Sequence, residues 1–156
     1  MVKTSLDYLL LGPAYPFRGG ISDTQHELAL ALKKDGKEVE LVTFTKLYPK
    51  LIFPGKTQFS NQFKPEALNI TQQIHAYNPL LWLKVVKYIC SKSPKVVVFR
   101  YYTPFLAFAY SWIAKNLPKS IKKVAIIDNW ISHEPRWFDK KLNLFFLKYL
   151  DSISCL

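Results

Sequence analysis

The sequence from residue 6 to residue 36 reads LDYLLLGPAYPFRGGISDTQHELALALKKDG and contains a predicted strand, a loop and a helix, in that order. Leu6 to Gly12 is a short and mostly apolar run, which predicts a largely buried strand. From Ile21 to Lys34 apolar residues recur at helical spacing, with Ser22 as the expected N-cap. The pair Gly19-Gly20 therefore lies between the first strand and the first helix.

The rest of the chain continues this alternation. Further strands are predicted at Val39–Phe44, within Glu66–Ile74, at Lys95–Phe99, at Val124–Ile127 and from Asp151 onward, and further helices at Pro79–Lys92, Phe105–Asn116 and Lys140–Leu150. In the second helix, Leu80, Leu83, Val86 and Cys90 lie roughly on one face. Alternating strands and helices predict one Rossmann-like α/β domain over residues 1–156, a parallel sheet with helices on both faces. Ligands of such sheets bind at the carboxyl ends of the strands.

Length and composition fit a single domain with a strong positive charge. The 156 residues are 49% apolar, which is enough for one core, and 22 Lys and Arg oppose 11 Asp and Glu, giving a formal charge of +11. The basic residues occur singly or in pairs, without the long run that marks a nucleic-acid-binding tail. We therefore expect no nucleic acid partner, and the charge points instead to anionic lipid or a phosphorylated substrate.

Cysteine usage and hydropathy predict the compartment. Cys90 and Cys155 match neither a zinc spacing nor a disulfide framework, which favours a reducing environment. The apolar run Leu9–Leu11 is too short for a signal peptide, and Pro104–Leu117 is too short to span a membrane. We expect a cytoplasmic protein, either soluble or peripheral.

Several ligand motifs are incomplete. The loop from Gly12 to Gly20 lacks the G-x-G-x-x-G spacing, so no dinucleotide cofactor is expected. Gly55-Lys56-Thr57 resembles the end of a P-loop, but Lys50 stands where that motif needs glycine. His26-Glu27 and His133-Glu134 each lack the second histidine of a zinc-protease helix. The sequence predicts neither a metal nor a bound cofactor.

Two loops could carry chemistry. Gly19-Gly20 lies where a parallel sheet places its first phosphate-binding turn, because glycine lets a ligand approach the backbone and the helix N-terminus favours an anion. The alternative is that both glycines only turn the chain. The second loop groups polar residues that could act as acids, bases or charge stabilisers, or could simply be solvated: Asp128, Asn129, His133, Glu134 and Arg136.

These motifs together resemble a known family. The segments Pro16–Ile21, Glu27–Ala29 and Leu32–Val39 resemble the opening of family 4 glycosyltransferases of the GT-B fold, in which a Gly-Gly loop precedes a helix and a G-H-x-V strand entry. Asn78-Pro79, the strand end Phe99–Phe105, Asp128-Asn129 and His133-Glu134-Pro135 are similar to the acceptor-side domain of that family. Lys37 departs from the pattern, since it replaces the usual histidine. The resemblance covers nearly the whole chain.

The resemblance implies transfer of a sugar from a nucleotide-sugar to a glycan or lipid-linked acceptor, with retention of configuration and without a metal, as in polysaccharide biosynthesis. Gly19 and Gly20 would contact the donor diphosphate. The implied catalytic residues are Asn129, His133 and Glu134, and the implied acceptor-binding residues are Arg18, Arg100, Tyr102 and Asp128.

The resemblance also implies partners. The family's C-terminal domain binds most of the nucleotide-sugar and does not follow Leu156, so we expect the chain to be a truncated GT-B enzyme, inactive alone. Acceptor-side domains of this family often work at a membrane, and the charge of +11 would favour peripheral contact with its anionic inner face. Two other interpretations stay open: a non-catalytic Rossmann-like binding module, and a nucleotide-dependent oxidoreductase, which the missing fingerprint disfavours.

Overall fold

The computed structural model of the protein describes residues 6–47, 59–60, 63–129 and 137–155. The strands are β1 (Tyr8–Leu11), β2 (Val39–Lys46), β3 (Ile70–His75), β4 (Val96–Tyr101), β5 (Lys122–Ile127) and β6 (Ser152–Cys155). The helices are α1 (Gly20–Lys34), α2 (Pro79–Lys92), α3 (Ala107–Asn116) and α4 (Asp139–Leu147), and a 3-10 turn at Pro104–Leu106 precedes α3. The predicted α/β class is confirmed.

All strand pairs are parallel, in the order β3-β2-β1-β4-β5-β6. The chain builds the sheet outward from β1 through β2 and β3, and then returns to add β4 on the other side of β1. The strand order thus reverses between β1 and β4. In open parallel sheets, ligands bind in the crevice beyond the carboxyl ends of the strands at such a switch point.

Successive side chains of β1 pack alternately into the two layers of the core, one on each face of the sheet. Leu9 and Leu11 pack on the side that α2, α3 and α4 cover, whereas Leu10 packs on the side of α1 with Ala29. All three leucines are fully buried, because β1 has a strand on each side and helices on both faces. The predicted arrangement of helices on both faces is therefore confirmed.

An aromatic cluster holds α4 against the sheet. The fully buried ring of Phe146 lies 4.8 Å from that of Tyr101, 5.7 Å from Phe99 and 5.8 Å from Tyr110, measured between ring centroids. Beside it, the Tyr101 hydroxyl donates a hydrogen bond of 2.6 Å to the Asn143 side chain, and burial raises the pKa of Tyr101 strongly. The cluster joins β4, α3 and α4 into one unit.

The start of α1 differs from its prediction. The helix begins at Gly20 with Gly19 as the N-cap residue, so the expected N-cap role of Ser22 is wrong. Ser22 is buried in the first turn, where its hydroxyl donates to the carbonyl oxygen of Phe17 at 2.9 Å. The N-cap lies three residues earlier than predicted, at Gly19, and glycine readily adopts the positive φ of 119° found there.

The buried face of α2 also differs from the face that its apolar spacing indicated. Trp82, Val85 and Ile89 pack into the core with Val86, whereas the side chain of Leu80 is 85% exposed and that of Leu83 is 49% exposed. The helix carries more apolar residues than the core can accommodate. None of the described helices is both long and apolar enough to cross a bilayer.

Replacing Phe146 with Ala should lower the free energy of unfolding by about 3–5 kcal/mol, because it removes a buried ring from a packed cluster. Urea denaturation followed by circular dichroism measures this change. Phe145→Ala is the matched control, since its side chain on the same helix is 38% exposed, and it should cost about 1 kcal/mol or less. Equal losses of stability in the two variants would contradict the described packing of α4 against the sheet.

Candidate functional site

The site lies at the carboxyl ends of β1, β4 and β5, and it starts with a close contact at Gly12. A Cβ atom on Gly12 would stand 2.7 Å from Cβ of Arg100 and 3.1 Å from Nε2 of Gln25. Any side chain at position 12 would force the Arg100 stem to move, so only glycine fits here. Gln25 is fully buried there, and neither amide atom has a hydrogen-bond partner within the described part of the chain.

Side chains from β2 and α1 fix the loop that follows Gly12. The backbone N–H of Ala14 donates to the Thr43 hydroxyl oxygen at 3.0 Å. The backbone N–H of the next residue, Tyr15, donates to Nε2 of His26, also at 3.0 Å. These two bonds satisfy consecutive amides of the loop and set the path by which the chain reaches Gly19.

His26 can play this part only as a neutral imidazole, because its Nε2 accepts a hydrogen bond. Burial lowers the pKa of His26 below its ordinary value of 6.5, and the nearby carboxylate of Asp23 opposes that shift. Protonation of His26 at low pH should therefore turn Nε2 from an acceptor into a donor. Two donors, this Nε2–H and the N–H of Tyr15, would then face each other.

The glycine pair opens the N-terminus of α1. Gly19 has a φ of 119°, and among the described residues no side chain caps the helix. A Cβ on Gly19 or Gly20 would meet none of the described atoms within 4 Å, so the described part of the chain leaves space beside both glycines. The first N–H groups of a helix have no intrahelical partner and carry the positive end of its dipole. Together these features suit an anion.

A buried ion pair connects the other strands to this helix. Nε of Arg100 donates to Oδ2 of Asp128 at 2.6 Å, and Nη2 donates to Oδ1 at 2.5 Å. Nη2 also donates to the Thr24 hydroxyl at 3.0 Å, and that hydroxyl donates to the carbonyl oxygen of Gly20 at 2.9 Å. The Arg100 side chain is 3% exposed and that of Asp128 16%. Arg100 thus links β4, β5 and the first turn of α1.

The structure brings part of the predicted site together. Gly19, Gly20, Arg100 and Asp128 gather at one edge of the sheet, at the β1–β4 switch point. Arg100 belongs to β4 rather than to the loop after it, and its guanidinium group is engaged by protein side chains. The acceptor-binding role predicted for Arg100 and Asp128 stays a prediction.

The other predicted residues are placed separately. Arg18 and Asn129 are exposed, and Tyr102 is partly buried directly after β4. His133 and Glu134 lie outside the described residues, as do Lys50 and the segment 55–57. Among the residues that the structure describes, no three His, Cys, Asp or Glu side chains come together as a metal site would require.

Sequence reasoning missed three residues that shape the site: Thr24, His26 and Thr43. Thr43 carried a signal, because it is a polar residue inside the apolar run of β2 and is fully buried. A buried hydroxyl needs a partner, and the adjacent loop supplies it. The sequence gave no comparable indication for Thr24 and His26, because polar residues on a helix ordinarily face solvent.

Asp128→Ala should lower the free energy of unfolding by about 3 kcal/mol, because it leaves the buried Arg100 charge without its partner. Chemical denaturation at neutral pH measures the change. Lys95→Ala is the control, since its ammonium pairs with Asp7 but its side chain is 64% exposed, and it should cost about 1 kcal/mol or less. A cost for Asp128→Ala no larger than that of the control would argue against a buried pair.

Stability should fall as pH decreases through the pKa of His26. Because this pKa is lowered on folding, its contribution is fully present above the unfolded value near 6.5 and is lost as pH falls through the folded value. Thermal unfolding between about pH 7.5 and about pH 5 tests this, with His26→Gln as the comparison. The glutamine keeps an acceptor oxygen without titrating, so its melting temperature should fall less. Parallel curves for both proteins would refute the assigned role.

Comparison with known proteins gives structural neighbours only. No protein-family model and no curated protein matches the sequence. Among solved structures, an alpha-glucosyltransferase in complex with UDP and a 13-mer DNA containing a central A:G mismatch superposes with a TM-score of 0.63 at 13% identity. The match covers 97% of this chain and 37% of that protein.

Two further neighbours extend the comparison. Sucrose-phosphate synthase from Thermosynechococcus elongatus has a TM-score of 0.59 at 13% identity, over 94% of this chain and 41% of that protein. The TrkA-N domain of the inner membrane protein ybaL from Escherichia coli has a TM-score of 0.52 at 8% identity, over 97% of this chain and 87% of that chain. The chain thus spans about two fifths of the sugar-transferring neighbours, and its fold is the Rossmann-like α/β domain found in GT-B glycosyltransferases.

Proposed function

We propose that this chain is the acceptor-side domain of a GT-B glycosyltransferase, and that the N-terminus of α1 receives the diphosphate of a nucleotide-sugar. The observation that carries the proposal is the opening at Gly19-Gly20, where no described side chain caps the helix and no described atom fills the space beside the two glycines, at the β1–β4 switch point. The likeness to an alpha-glucosyltransferase solved with UDP supports the same ligand class.

The charges around the opening suit a departing diphosphate. Arg100 is neutralised by Asp128, so negative charge would be stabilised mainly by the amides of α1 and by the exposed Arg18 that precedes Gly19. Donors fixed in place before the reaction stabilise developing charge without reorganisation. In this proposal the Arg100–Asp128 pair positions the helix and does not itself bind phosphate.

The acceptor would approach from the later strands. Asn129 follows Asp128 at the end of β5, and the candidates His133 and Glu134 follow in the same loop of the sequence. We propose that this loop handles the hydroxyl of a glycan or lipid-linked acceptor, and that transfer retains configuration. The chain corresponds to about two fifths of the length of its sugar-transferring neighbours. Catalytic turnover would therefore also need a second domain that contacts the nucleotide.

A second candidate function is a non-catalytic nucleotide-binding module. The observation in its favour is the likeness to a TrkA-N domain, which this chain matches over 87% of that domain's length. The two functions differ in ligand and in chemistry. A module of this kind would bind its nucleotide without transferring a sugar.

Gly20→Val should weaken UDP binding by about tenfold or more without lowering stability, because the new side chain would occupy the space beside Gly20 that the proposal gives to the diphosphate. Isothermal titration calorimetry measures binding, and thermal unfolding checks the fold. Ala31→Val, on the exposed side of the same helix, is the matched control and should bind UDP as the parent chain does.

Unchanged UDP affinity in Gly20→Val would rule out the proposed binding of the diphosphate at the N-terminus of α1. Binding of NAD but not UDP would favour the module. Efficient transfer from UDP-glucose by the chain alone would contradict the need for a second domain.

A further inference from the structure

The carboxyl ends of β2 and β3 carry side chains to which the proposed nucleotide site gives no role. Lys46 is the last residue of β2 and His75 is the last residue of β3, and the two are partners in the parallel register. The backbone N–H of Ala76 donates to the carbonyl oxygen of Lys46 at 3.0 Å. This bond extends the pairing beyond β3 and leads the chain directly to Tyr77.

Tyr77 is the centre of an aromatic group that is partly open to solvent. Its ring lies 4.4 Å from that of His75 in an edge-to-face arrangement and 6.4 Å from that of Phe105, measured between ring centroids. Tyr77 is 42% exposed, whereas His75 and Phe105 are partly buried. The two neighbours therefore support the tyrosine ring and leave part of it accessible.

Hydrogen bonds fix the segment that carries this ring. The indole N–H of Trp82 donates to the carbonyl oxygen of His75 at 2.8 Å. The Asn78 side chain accepts from the N–H of Leu80 at 3.1 Å and so caps α2. Tyr77 is thus held between the end of β3 and a capped helix. A ring on a fixed segment loses little conformational freedom when a ligand stacks on it.

Positive charge lies close to the ring. Burial lowers the pKa of His75, and the positive charge of Lys46 lowers it further, which places the ammonium within electrostatic range of the imidazole. Lys46 is exposed. The N-terminus of α2 adds the positive end of the dipole of a 14-residue helix. A ligand at Tyr77 would therefore meet an aromatic surface and a positive field together.

Acidic side chains do not offset this field. Residues 41–127 contain one acid, Glu66, which precedes β3 and so lies toward the opposite edge of the sheet. Asp128 follows β5, three strands from β2, and is bonded to Arg100. Within the described residues no carboxylate pairs with Lys46. The ammonium is available to a ligand.

We propose that Tyr77 and Lys46 form a subsite for a pyranose ring that carries a negative charge, as a hexuronic acid or a sugar phosphate does. The C–H groups on one face of the pyranose pack on the electron-rich face of the tyrosine, and Lys46 pairs with the carboxylate or phosphate. A neutral sugar leaves the lysine unused, and a small anion leaves the ring unused. The inference rests on the proposed acceptor-side function and adds an anionic sugar as its substrate class.

Saturation-transfer NMR with small glycosides tests the charge preference, using methyl glucuronide, glucose 6-phosphate and neutral methyl glucoside as probes. At least one charged probe should bind about threefold more tightly than methyl glucoside, and the tighter of the two identifies the charged group as carboxylate or phosphate. Lys46→Gln should abolish this preference. Lys37→Gln, on an exposed lysine before β2 at the opposite edge of the sheet, should keep it. Equal affinities for charged and neutral probes in the parent chain would overturn the proposal.

The tyrosine needs its own variants. Tyr77→Leu should weaken the binding of the charged probes by about fivefold, because leucine has no aromatic face, whereas Tyr77→Trp should retain it. Phe145→Leu is the matched control, since it removes a ring that is 38% exposed on α4 and should change nothing. Circular dichroism verifies folding, and Tyr77→Ala replaces Tyr77→Leu if that variant unfolds. Equal effects of Tyr77→Leu and Phe145→Leu would refute the subsite.

Titration with UDP separates this subsite from the nucleotide site proposed at α1. UDP affinity should be the same in Tyr77→Leu as in the parent chain, and Gly20→Val should leave glycoside binding unchanged. Loss of UDP affinity in Tyr77→Leu would mean that the ring stacks on a nucleotide base, and it would overturn the sugar subsite. If UDP does not bind but the charged glycosides bind through Tyr77, the nucleotide site fails and the sugar subsite stands.

Discussion

The bidentate ion pair between Arg100 and Asp128 is the contact on which the site end of this domain depends. It connects neighbouring strands at their carboxyl ends, and through Thr24 it reaches the first turn of α1. Gly12 must be glycine because the Arg100 stem passes directly against it. The pair places the helix N-terminus relative to β4 and β5, and the bonds of Ser22 and His26 place it relative to the preceding loop.

The same pair determines how an anion could be held. A buried arginine that is already neutralised by a carboxylate offers little further charge, so the attraction would come from the backbone amides at the start of α1 and from the exposed Arg18. These amides are rigidly placed, because Thr24 bonds back to Gly20 and the preceding loop is pinned through Ala14 and Tyr15. The positioning groups and the ligand-facing groups are therefore different parts of the chain.

The sequence was informative wherever a local pattern decides the structure. Short β-branched runs such as Val96–Val98 favour buried strands, and their alternation with helices predicted the sheet class. Local patterns failed where distant or surface interactions decide. Arg100 and Asp128 are 28 residues apart, and nothing in the intervening sequence pairs them. The apolar stripe through Leu80 and Leu83 was ambiguous because an exposed apolar face and a core face share the same spacing.

Several exposed apolar residues also lie near the carboxyl edge of the sheet. In a parallel sheet each helix begins at the carboxyl edge of the strand before it. Leu80 is the second residue of α2, Phe108 is the second residue of α3, and Trp137 lies just before α4. These three side chains are therefore near the edge of the sheet at which α1 presents Gly20. This edge therefore combines the uncapped start of α1 with apolar side chains that the core does not use.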